Sequence, residues 1–242
     1  MKRRIELLEH DRDLDRSQNQ TGRDVARDLV SARAASDYQA AWDGEDPLVT
    51  VIVATHNRGQ LLVERSLASL VDQDHKKLQI LVIGDRCSDN TRELVEGMGD
   101  PRIAFHDLQD RDEYPEDSLR RWMVAGSPAM NLGLELAAGE WVTHLDDDDS
   151  HAPRRISTLL EVARLERAEV LWHPFRYQDH DYEWHVRDSR EFAPGEVTTS
   201  SIFYHRWFTR FPWDTESHYL GEPGDWGRLR NFLFVGARTA RC

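Results

Sequence analysis

Four consecutive aspartates, Asp146–Asp149, stand between two histidines in the stretch HLDDDDSH, residues His144–His151. Carboxylates placed side by side repel one another and resist burial, so a folded chain keeps them together only in water or beside a counter-charge. A divalent metal site is one interpretation, because Mg²⁺ and Mn²⁺ bind carboxylate oxygens together with phosphate oxygens and water. The alternative is a solvated acidic turn that caps the following helix, which the sequence begins at Pro153.

The segments around these acids predict a strand–helix alternation. Five mainly apolar segments are typical of buried strands: 48–54, 78–84, 102–108, 140–145 and 168–175. Helical patterns stand between them, at 63–71, 91–96, 127–139 and after Pro153. This alternation predicts an α/β fold with a mostly parallel sheet flanked by helices and right-handed crossovers. Beyond Tyr177 the pattern becomes irregular and aromatic-rich, with a weaker strand at 197–204.

Three polar loops follow the predicted strands: Thr55–Gln60, Asp85–Asn90 and Asp146–His151. Ligands of open parallel sheets bind at the carboxyl ends of the strands, outside the sheet edge. We therefore expect the three loops to converge on one crevice, with carboxylates contributed by the second and the third.

The first 46 residues differ in composition from the rest of the 242-residue chain. They are highly charged with mixed sign, and four apolar residues recur at helical spacing: Ala26, Leu29, Val30 and Ala34. We predict a helical extension over 1–46, with partial disorder as the alternative, and this extension could pack against a second subunit of a homo-oligomer. We predict that residues 47–242 form the main domain, with one half at 47–150 and the other at 151–242.

Composition excludes several classes of protein. The formal net charge of -13 argues against a nucleic acid polymer as partner, because phosphate binding needs a basic surface. No apolar run reaches the length of a membrane span, and the basic amino terminus lacks the apolar segment of a signal peptide. Two cysteines make no disulfide framework, so we expect a cytoplasmic protein. The histidines lack the spacing of a zinc site.

Three motifs, kept in order and spacing, carry a family resemblance: VATHNR at Val53–Arg58, VIGDRCSD at Val82–Asp89, and MNLGLELAAGEWVTHLDDDD at Met130–Asp149. Together they resemble the GT-A glycosyltransferases of family 2 over about residues 47–155. A fourth segment, GEPGDWGRLRN at Gly221–Asn231, is similar to the one that carries the catalytic base in that family. The resemblance implies a GT-A, Rossmann-like fold and an inverting, metal-dependent transfer of a sugar from a nucleoside diphosphate sugar to an acceptor hydroxyl.

The resemblance also implies roles for single residues of the acidic motif. Asp147 and Asp148 match the metal-binding acids, with Asp146 and Asp148 as the alternative register. The metal would be Mn²⁺ or Mg²⁺, which neutralises charge on the diphosphate leaving group. Not all four carboxylates can bind one ion, so some of them shape the turn.

Four further residues match the donor pocket of the family. Asp85 corresponds to the acid that binds the nucleobase or ribose, with an Asx-turn as its alternative. Thr55 and Asn57 correspond to residues that line the nucleotide pocket, although Asn57 could instead cap the following helix. Arg58 could offset phosphate charge or face solvent, and Asp147 also belongs to this donor-binding set.

Asp225 matches the catalytic base, and Glu222 is its rival. An inverting transfer needs a carboxylate to take the proton of the acceptor hydroxyl as its oxygen attacks the anomeric carbon. The alternative for Asp225 is an N-cap. Gly84 and Met130 depart from the family pattern, which keeps two other functions open: a nucleotidyltransferase on a related sheet and an inactive nucleotide-binding module.

Overall fold

A computed structural model describes residues 22–242 of the chain. Nine strands lie within them: Val49–Thr55 (β1), Leu78–Gly84 (β2), Ile103–Asp107 (β3), Trp141–His144 (β4), Val170–Trp172 (β5), Phe175–Gln178 (β6), Trp184–Arg187 (β7), Ile202–His205 (β8) and Thr239–Arg241 (β9). Seven of them form one sheet in the order β3-β2-β1-β4-β8-β5-β9, and β6 pairs with β7 as a separate antiparallel hairpin.

Strand direction decides which loops share an edge. β1 is parallel to β2 and β4, and β2 is parallel to β3, while β8 runs antiparallel to both β4 and β5. The carboxyl ends of β1, β2 and β4 therefore lie along the same edge. The prediction of a mostly parallel α/β sheet is confirmed.

Eight helices flank the sheet within the described residues. They are 22–32 (α1), Ser36–Asp43 (α2), 59–71 (α3), Thr91–Gly97 (α4), Ser118–Val124 (α5), Ser127–Leu136 (α6), Arg155–Glu166 (α7) and Gly224–Phe234 (α8). Helix α3 is continuous but has three parts: the α-helical Gly59–Leu61, a π-helical turn at Leu62–Leu67 and the α-helical Ala68–Val71. Three 3₁₀ turns stand in the second half, at Thr199–Ser201, Arg206–Arg210 and Ser217–Tyr219.

The central strands are held by burial on both faces. Val51, Ile52 and Val53 of β1 are fully buried, as a continuous apolar run predicts. Helix α6 approaches β1 closely at Gly133, where a Cβ atom would overlap the side chain of Ile52. The glycine thus lets the helix lie flat on the strand, next to the edge where the acidic loop begins.

The two amino-terminal helices pack against the far part of the sheet. Trp42 of α2 is buried, and its indole nitrogen donates to the carbonyl of Ala168 at 2.9 Å. Glu169, which has no exposed surface, accepts hydrogen bonds from the guanidinium of Arg33 at 2.7 and 2.6 Å and from the hydroxyl of Tyr38 at 2.7 Å. Residues 1–21 of the predicted extension lie outside the described residues.

Two predicted boundaries shift in the structure. The helix after the acidic loop begins at Arg155, so Pro153 lies in the preceding turn instead of at the helix start. The segment 197–204 divides into a 3₁₀ turn and β8, because the Thr198 and Ser201 side chains form a capping box there. Within residues 22–242, no helix has the length and apolarity that crossing a bilayer requires.

Candidate functional site

The loops after β1, β2 and β4 contact one another at the carboxyl edge of the sheet. The Thr55 hydroxyl donates to Oδ2 of Asp147 at 2.8 Å, which joins the first loop to the third. The side-chain oxygen of Asn57 accepts from the backbone amides of Ser88 at 2.8 Å and Asp89 at 3.3 Å, which joins the first loop to the second. The three loops converge as the sequence predicts.

Asn57 is a tie between loops and not a helix cap. Its φ of 53° places it in the left-handed region, which asparagine tolerates better than most residues. Helix α3 begins at Gly59 with Arg58 in the N-cap position and no side-chain capping bond. The alternative role of Asn57 as the cap of this helix is therefore wrong.

A single arginine bridges two of the four aspartates. The guanidinium of Arg58 lies 3.0 Å from Oδ1 of Asp147 and 3.0 Å from Oδ2 of Asp148. The charge of Asp147, ahead of that of Asp148, raises the pKa of Arg58 above its ordinary value. Asp147 is buried and has both oxygens in hydrogen bonds, whereas Asp148 is exposed. Arg58 thus supplies the counter-charge that adjacent carboxylates need.

Asp146 has different surroundings from its neighbours. Among the described residues, no side chain or backbone group donates a hydrogen bond to its carboxylate, which is partly buried beneath the loop. Removal from water, followed by the charges of Asp149, Asp148, Asp147 and Asp225, raises its pKa from 3.8 to about 7. The field of Asp225 reaches Asp146 although nearly 80 residues separate them in the sequence.

Asp149 faces away toward Ser200. The Ser200 hydroxyl donates to Oδ2 of Asp149 at 2.7 Å and accepts from the backbone amide of Asp146 at 3.1 Å. Burial raises the pKa of Asp149 above its ordinary value. Helix α7 has Arg154 at its N-cap position and no side-chain capping bond, so the interpretation of the aspartates as a helix cap is wrong.

Asp225 lies in the first turn of α8, one residue after its start. Pro223 occupies the N-cap position, so the alternative that Asp225 is an N-cap is wrong. Oδ1 of Asp225 accepts from the backbone amide of Trp226 at 2.6 Å, and burial raises the pKa of the carboxyl group. Glu222 instead forms a partly exposed ion pair with Arg230 at 3.2 Å.

Asp85 carries two contacts that the sequence did not reveal. Nε of Arg111 donates to Oδ1 of Asp85 at 2.6 Å, and the Tyr114 hydroxyl donates to Oδ2 at 2.6 Å. The Tyr114 hydroxyl also accepts from the backbone amide of Gly126 at 2.9 Å, and burial raises its pKa. The Asx-turn alternative is wrong for Asp85, since the backbone amide of Cys87, two residues later, donates to Asp107 instead.

No periodic pattern in the sequence marks Arg111 or Tyr114. Both lie in the irregular segment between β3 and α5, where the chain has no regular structure. The guanidinium of Arg111 stacks over the Tyr114 ring, and its Cζ atom lies 3.9 Å from the ring centroid. Only folding brings this segment across the end of β2, where Asp85 stands.

The histidines that flank the aspartates are buried and neutral. Burial lowers the pKa of His144 and of His151 well below the ordinary value. Nε2 of His144 lies 2.7 Å from the hydroxyl of Tyr204, inside the core. The His144 ring is thus anchored in the core, whereas both ring nitrogens of His151 are buried without a hydrogen-bond partner among the described residues.

The acidic loop has the carboxylates to bind a divalent cation whose remaining coordination positions are filled by phosphate oxygens and water. In the described part of the chain, no three His, Cys, Asp or Glu side chains converge into a ready-made metal cage. The carboxylate of Asp146 accepts no hydrogen bond from the described residues, and Asp148 is exposed. Mg²⁺ and Mn²⁺ suit such a site, because they are held by one or two carboxylates with phosphate oxygens and water.

Comparison with protein families gives one match across this region. The family model described as Glycosyl transferase family 2 matches residues 50–223, which is more than two thirds of the 242-residue chain. The matched span includes the three loops and ends just before Asp225.

Two curated bacterial proteins are similar over about half of this chain. GalNAc(5)-diNAcBac-PP-undecaprenol beta-1,3-glucosyltransferase of Campylobacter jejuni is 36% identical over 126 residues, which cover 51% of this chain and 37% of that protein. The putative colanic acid biosynthesis glycosyl transferase WcaA of Escherichia coli is 29% identical over 141 residues, covering 57% and 43%. The chain thus spans well under half the length of these two relatives.

Solved structures share the fold at low sequence identity. TarS 1–349 of S. aureus in complex with UDP-GlcNAc aligns with a TM-score of 0.63 at 19% identity, covering 80% of this chain and 55% of that one. The mannosyltransferase PcManGT of Pyrobaculum calidifontis, in complex with GDP-Man and Mn²⁺, aligns with a TM-score of 0.55 at 18% identity, covering 90% and 65%. These alignments agree with the predicted GT-A fold.

Proposed function

Since the chain belongs to glycosyl transferase family 2, we propose that it transfers a sugar from a nucleoside diphosphate sugar to an acceptor hydroxyl, with inversion at the anomeric carbon. One observation carries this proposal. A carboxylate at the start of α8, Asp225, lies near enough to the acidic loop for its charge to raise the pKa of Asp146. A base and a diphosphate-facing loop at one site are what an inverting transfer needs.

The donor nucleotide is proposed to lie over the ends of β1 and β2. Asp85, with Arg111 and Tyr114 on its two oxygens, would face the nucleobase or ribose. Thr55 and Asn57 hold the loops that line this pocket. The neighbours TarS and PcManGT were solved with UDP-GlcNAc and GDP-Man, respectively, which supports a sugar nucleotide as the donor class.

The cation is proposed to bind Asp146 and Asp148, and to be Mn²⁺ or Mg²⁺. This register is favoured over the pair Asp147 and Asp148, because both oxygens of Asp147 already accept from Thr55 and Arg58. When bound, the cation offsets negative charge that develops on the diphosphate. Arg58, half-exposed beside the loop, can turn toward the same phosphates.

Asp225 is proposed as the base. Burial raises the pKa of its carboxyl group, which makes the carboxylate a stronger base toward the proton of the acceptor hydroxyl. Glu222 is less suited, since its carboxylate is already paired with the guanidinium of Arg230 at 3.2 Å. The acceptor would then approach along α8, in the half of the domain formed by residues 151–242.

Matched isosteric variants of the two carboxylates test this proposal. We expect Asp225→Asn to lower kcat by about 10²- to 10⁴-fold, the usual worth of a general base, while nucleotide binding stays near wild type. Glu222→Gln is expected to keep activity within a few-fold. Transfer from UDP- and GDP-sugars is measured by release of the nucleoside diphosphate with Mn²⁺ present. Near-normal turnover of Asp225→Asn would remove Asp225 from its role.

The pH profile provides a second readout of the base. Because burial raises the pKa of Asp225 above its ordinary value, we expect the wild-type kcat/KM to fall as pH drops through that pKa. This acidic limb of kcat/KM should be absent in the residual activity of Asp225→Asn. An unchanged acidic limb in that variant would assign it to another group.

A further inference from the structure

One face of helix α3 directs polar side chains toward the backbone of the acidic loop, residues 146–151. The sequence predicts only an apolar stripe on this helix, and Leu67 and Leu70 are indeed buried. Two polar residues, Ser66 and Gln73, are also completely buried. Buried polar groups are costly unless they are hydrogen-bonded, so their partners indicate what they hold in place.

The partners of this face are almost all backbone groups of the loop. The Ser66 hydroxyl lies 3.1 Å from the carbonyl oxygen of Asp146 and 3.0 Å from that of Asp149. Nη1 of Arg65 donates to the carbonyl of Asp148 at 2.9 Å. Three of the four aspartate carbonyls, those of Asp146, Asp148 and Asp149, are therefore held from one side.

The contact continues past the aspartates to the start of α7. The Ser69 hydroxyl accepts from the backbone amide of His151 at 3.1 Å. The Gln73 side chain donates to the carbonyl of Ala152 at 2.8 Å and accepts from the amide of Ile156 at 3.2 Å. We call the set Arg65, Ser66, Ser69 and Gln73 the polar stripe.

The π-helical turn Leu62–Leu67 contains the two residues of the polar stripe that reach the aspartates, Arg65 and Ser66. Such turns insert one residue into a helix and are frequent at functional sites. Because four adjacent carboxylates repel one another, a loop held only by its own bonds would spread its charges apart. The Ser66 hydroxyl holds the backbone at its carbonyls without bringing a charge to any carboxylate, whereas the Arg65 guanidinium also acts on Asp149.

We propose that Ser66 is a positioning residue for the divalent cation. By holding the carbonyls of Asp146 and Asp149, it fixes the direction in which the side chains of Asp146 and Asp148 leave the loop. The remaining residues of the polar stripe extend this support along 148–156. The inference rests on the proposed function, because it assigns the loop to a cation, and it adds a residue that binds neither donor nor acceptor.

The experiment measures Mn²⁺ affinity directly. Mn²⁺ is titrated into the full chain with UDP or GDP present, and unbound Mn²⁺ is quantified from its electron paramagnetic resonance signal. We expect Ser66→Ala to raise the apparent Mn²⁺ dissociation constant about fivefold, the net worth of one hydrogen bond. Ser157→Ala is the matched control, because its hydroxyl donates to Asp74 and to the carbonyl of Arg154, outside the loop. This control should bind Mn²⁺ like the wild type.

A purely structural role would lower the melting temperature of Ser66→Ala without changing Mn²⁺ affinity in the folded chain. That result would overturn the inference and leave the proposed function intact. If Ser66→Ala does not fold, Ser69→Ala provides the test, since it removes the bond to the His151 amide from a less buried position. An unchanged Mn²⁺ affinity in Ser69→Ala would then count against the proposal.

The wild-type chain separates the two proposals. If Mn²⁺ does not change the affinity of the wild-type chain for UDP or for GDP, the inference and the proposed cation site both fall, because the loop would have no ion to orient; the proposed sugar transfer is then decided separately by the Asp225→Asn assay. Failure of the wild type to bind either nucleotide under any condition would overturn the proposed function, and the inference with it.

Discussion

Replacing Asp146 by asparagine should stabilise the protein and remove its metal-dependent function. The wild-type carboxyl group has a pKa of about 7 in the folded chain, raised from 3.8 by burial and by four neighbouring carboxylates. The folded state therefore holds a proton that the unfolded chain has already released. Because the folded state binds more protons, the free energy of unfolding falls as pH rises between about 4 and about 7.

The size of this effect follows from the same pKa. Between about pH 5.5 and the folded-state pKa lie roughly 1.5 units, each worth about 1.4 kcal/mol, and the contribution levels off above it. The amide of Asp146→Asn does not titrate, so the variant lacks this loss. We expect the variant to gain about 2 kcal/mol over the wild type when both are moved from about pH 5.5 to about pH 8.

Urea denaturation in the presence of a chelator measures this difference. Asp147→Asn is the matched control, because its carboxylate accepts from Thr55 and Arg58 and its loss should destabilise the protein at both pH values. Added Mn²⁺ with UDP or GDP should stabilise the wild type but not Asp146→Asn. A stability difference between the wild type and Asp146→Asn that does not change with pH would refute the reasoning.

Two further predictions concern contacts away from the acidic loop. Arg33→Met should lower the free energy of unfolding by about 2 to 3 kcal/mol, because buried Glu169 loses a partner that donates two hydrogen bonds while its charge stays in the core. Urea denaturation checks this, with Arg27→Met as the control at an exposed ion pair. Equal stability of the two variants would contradict the prediction. Tyr114→Phe should lower the free energy of unfolding by about 1 to 2 kcal/mol, since it removes a hydroxyl that is hydrogen-bonded to both Asp85 and the amide of Gly126. Wild-type stability of this variant in the same assay would show that the hydroxyl does not contribute to stability.

The order of strands and helices could be predicted because each has a local signal. Continuous apolar runs indicated β1 and β2, and the loops that break them indicated where ligands would bind. The acidic cluster and Asp85 followed from their place after strands, since the carboxyl ends of parallel strands share an edge. Two boundaries could not be predicted, because the turn before Arg155 is held by the side chain of Gln73 and the 3₁₀ turn at Thr199–Ser201 by a capping box.

The contacts that distinguish the four aspartates depend on partners that are distant in the sequence. Arg58 neutralises two of them, Ser200 binds a third, and only Asp146 is left without a hydrogen bond to its carboxylate among the described residues. No spacing within HLDDDDSH predicts this division. The sequence placed Asp147 and Asp148 first as ligands, whereas the folded contacts favour Asp146 with Asp148.

The sequence by itself determined the α/β alternation, the acidic loop after a buried strand and the family resemblance, because hydrophobic periodicity and ordered motifs are local properties. Tertiary structure alone decided what acts on each acid: the charge of Asp225 on Asp146, Arg111 and Tyr114 on Asp85, and Ser66 on the carbonyls of the loop. The physical reason is that charge, burial and hydrogen bonding act through space. They set the pKa and the free ligand positions of a carboxylate only when distant segments have been folded against it.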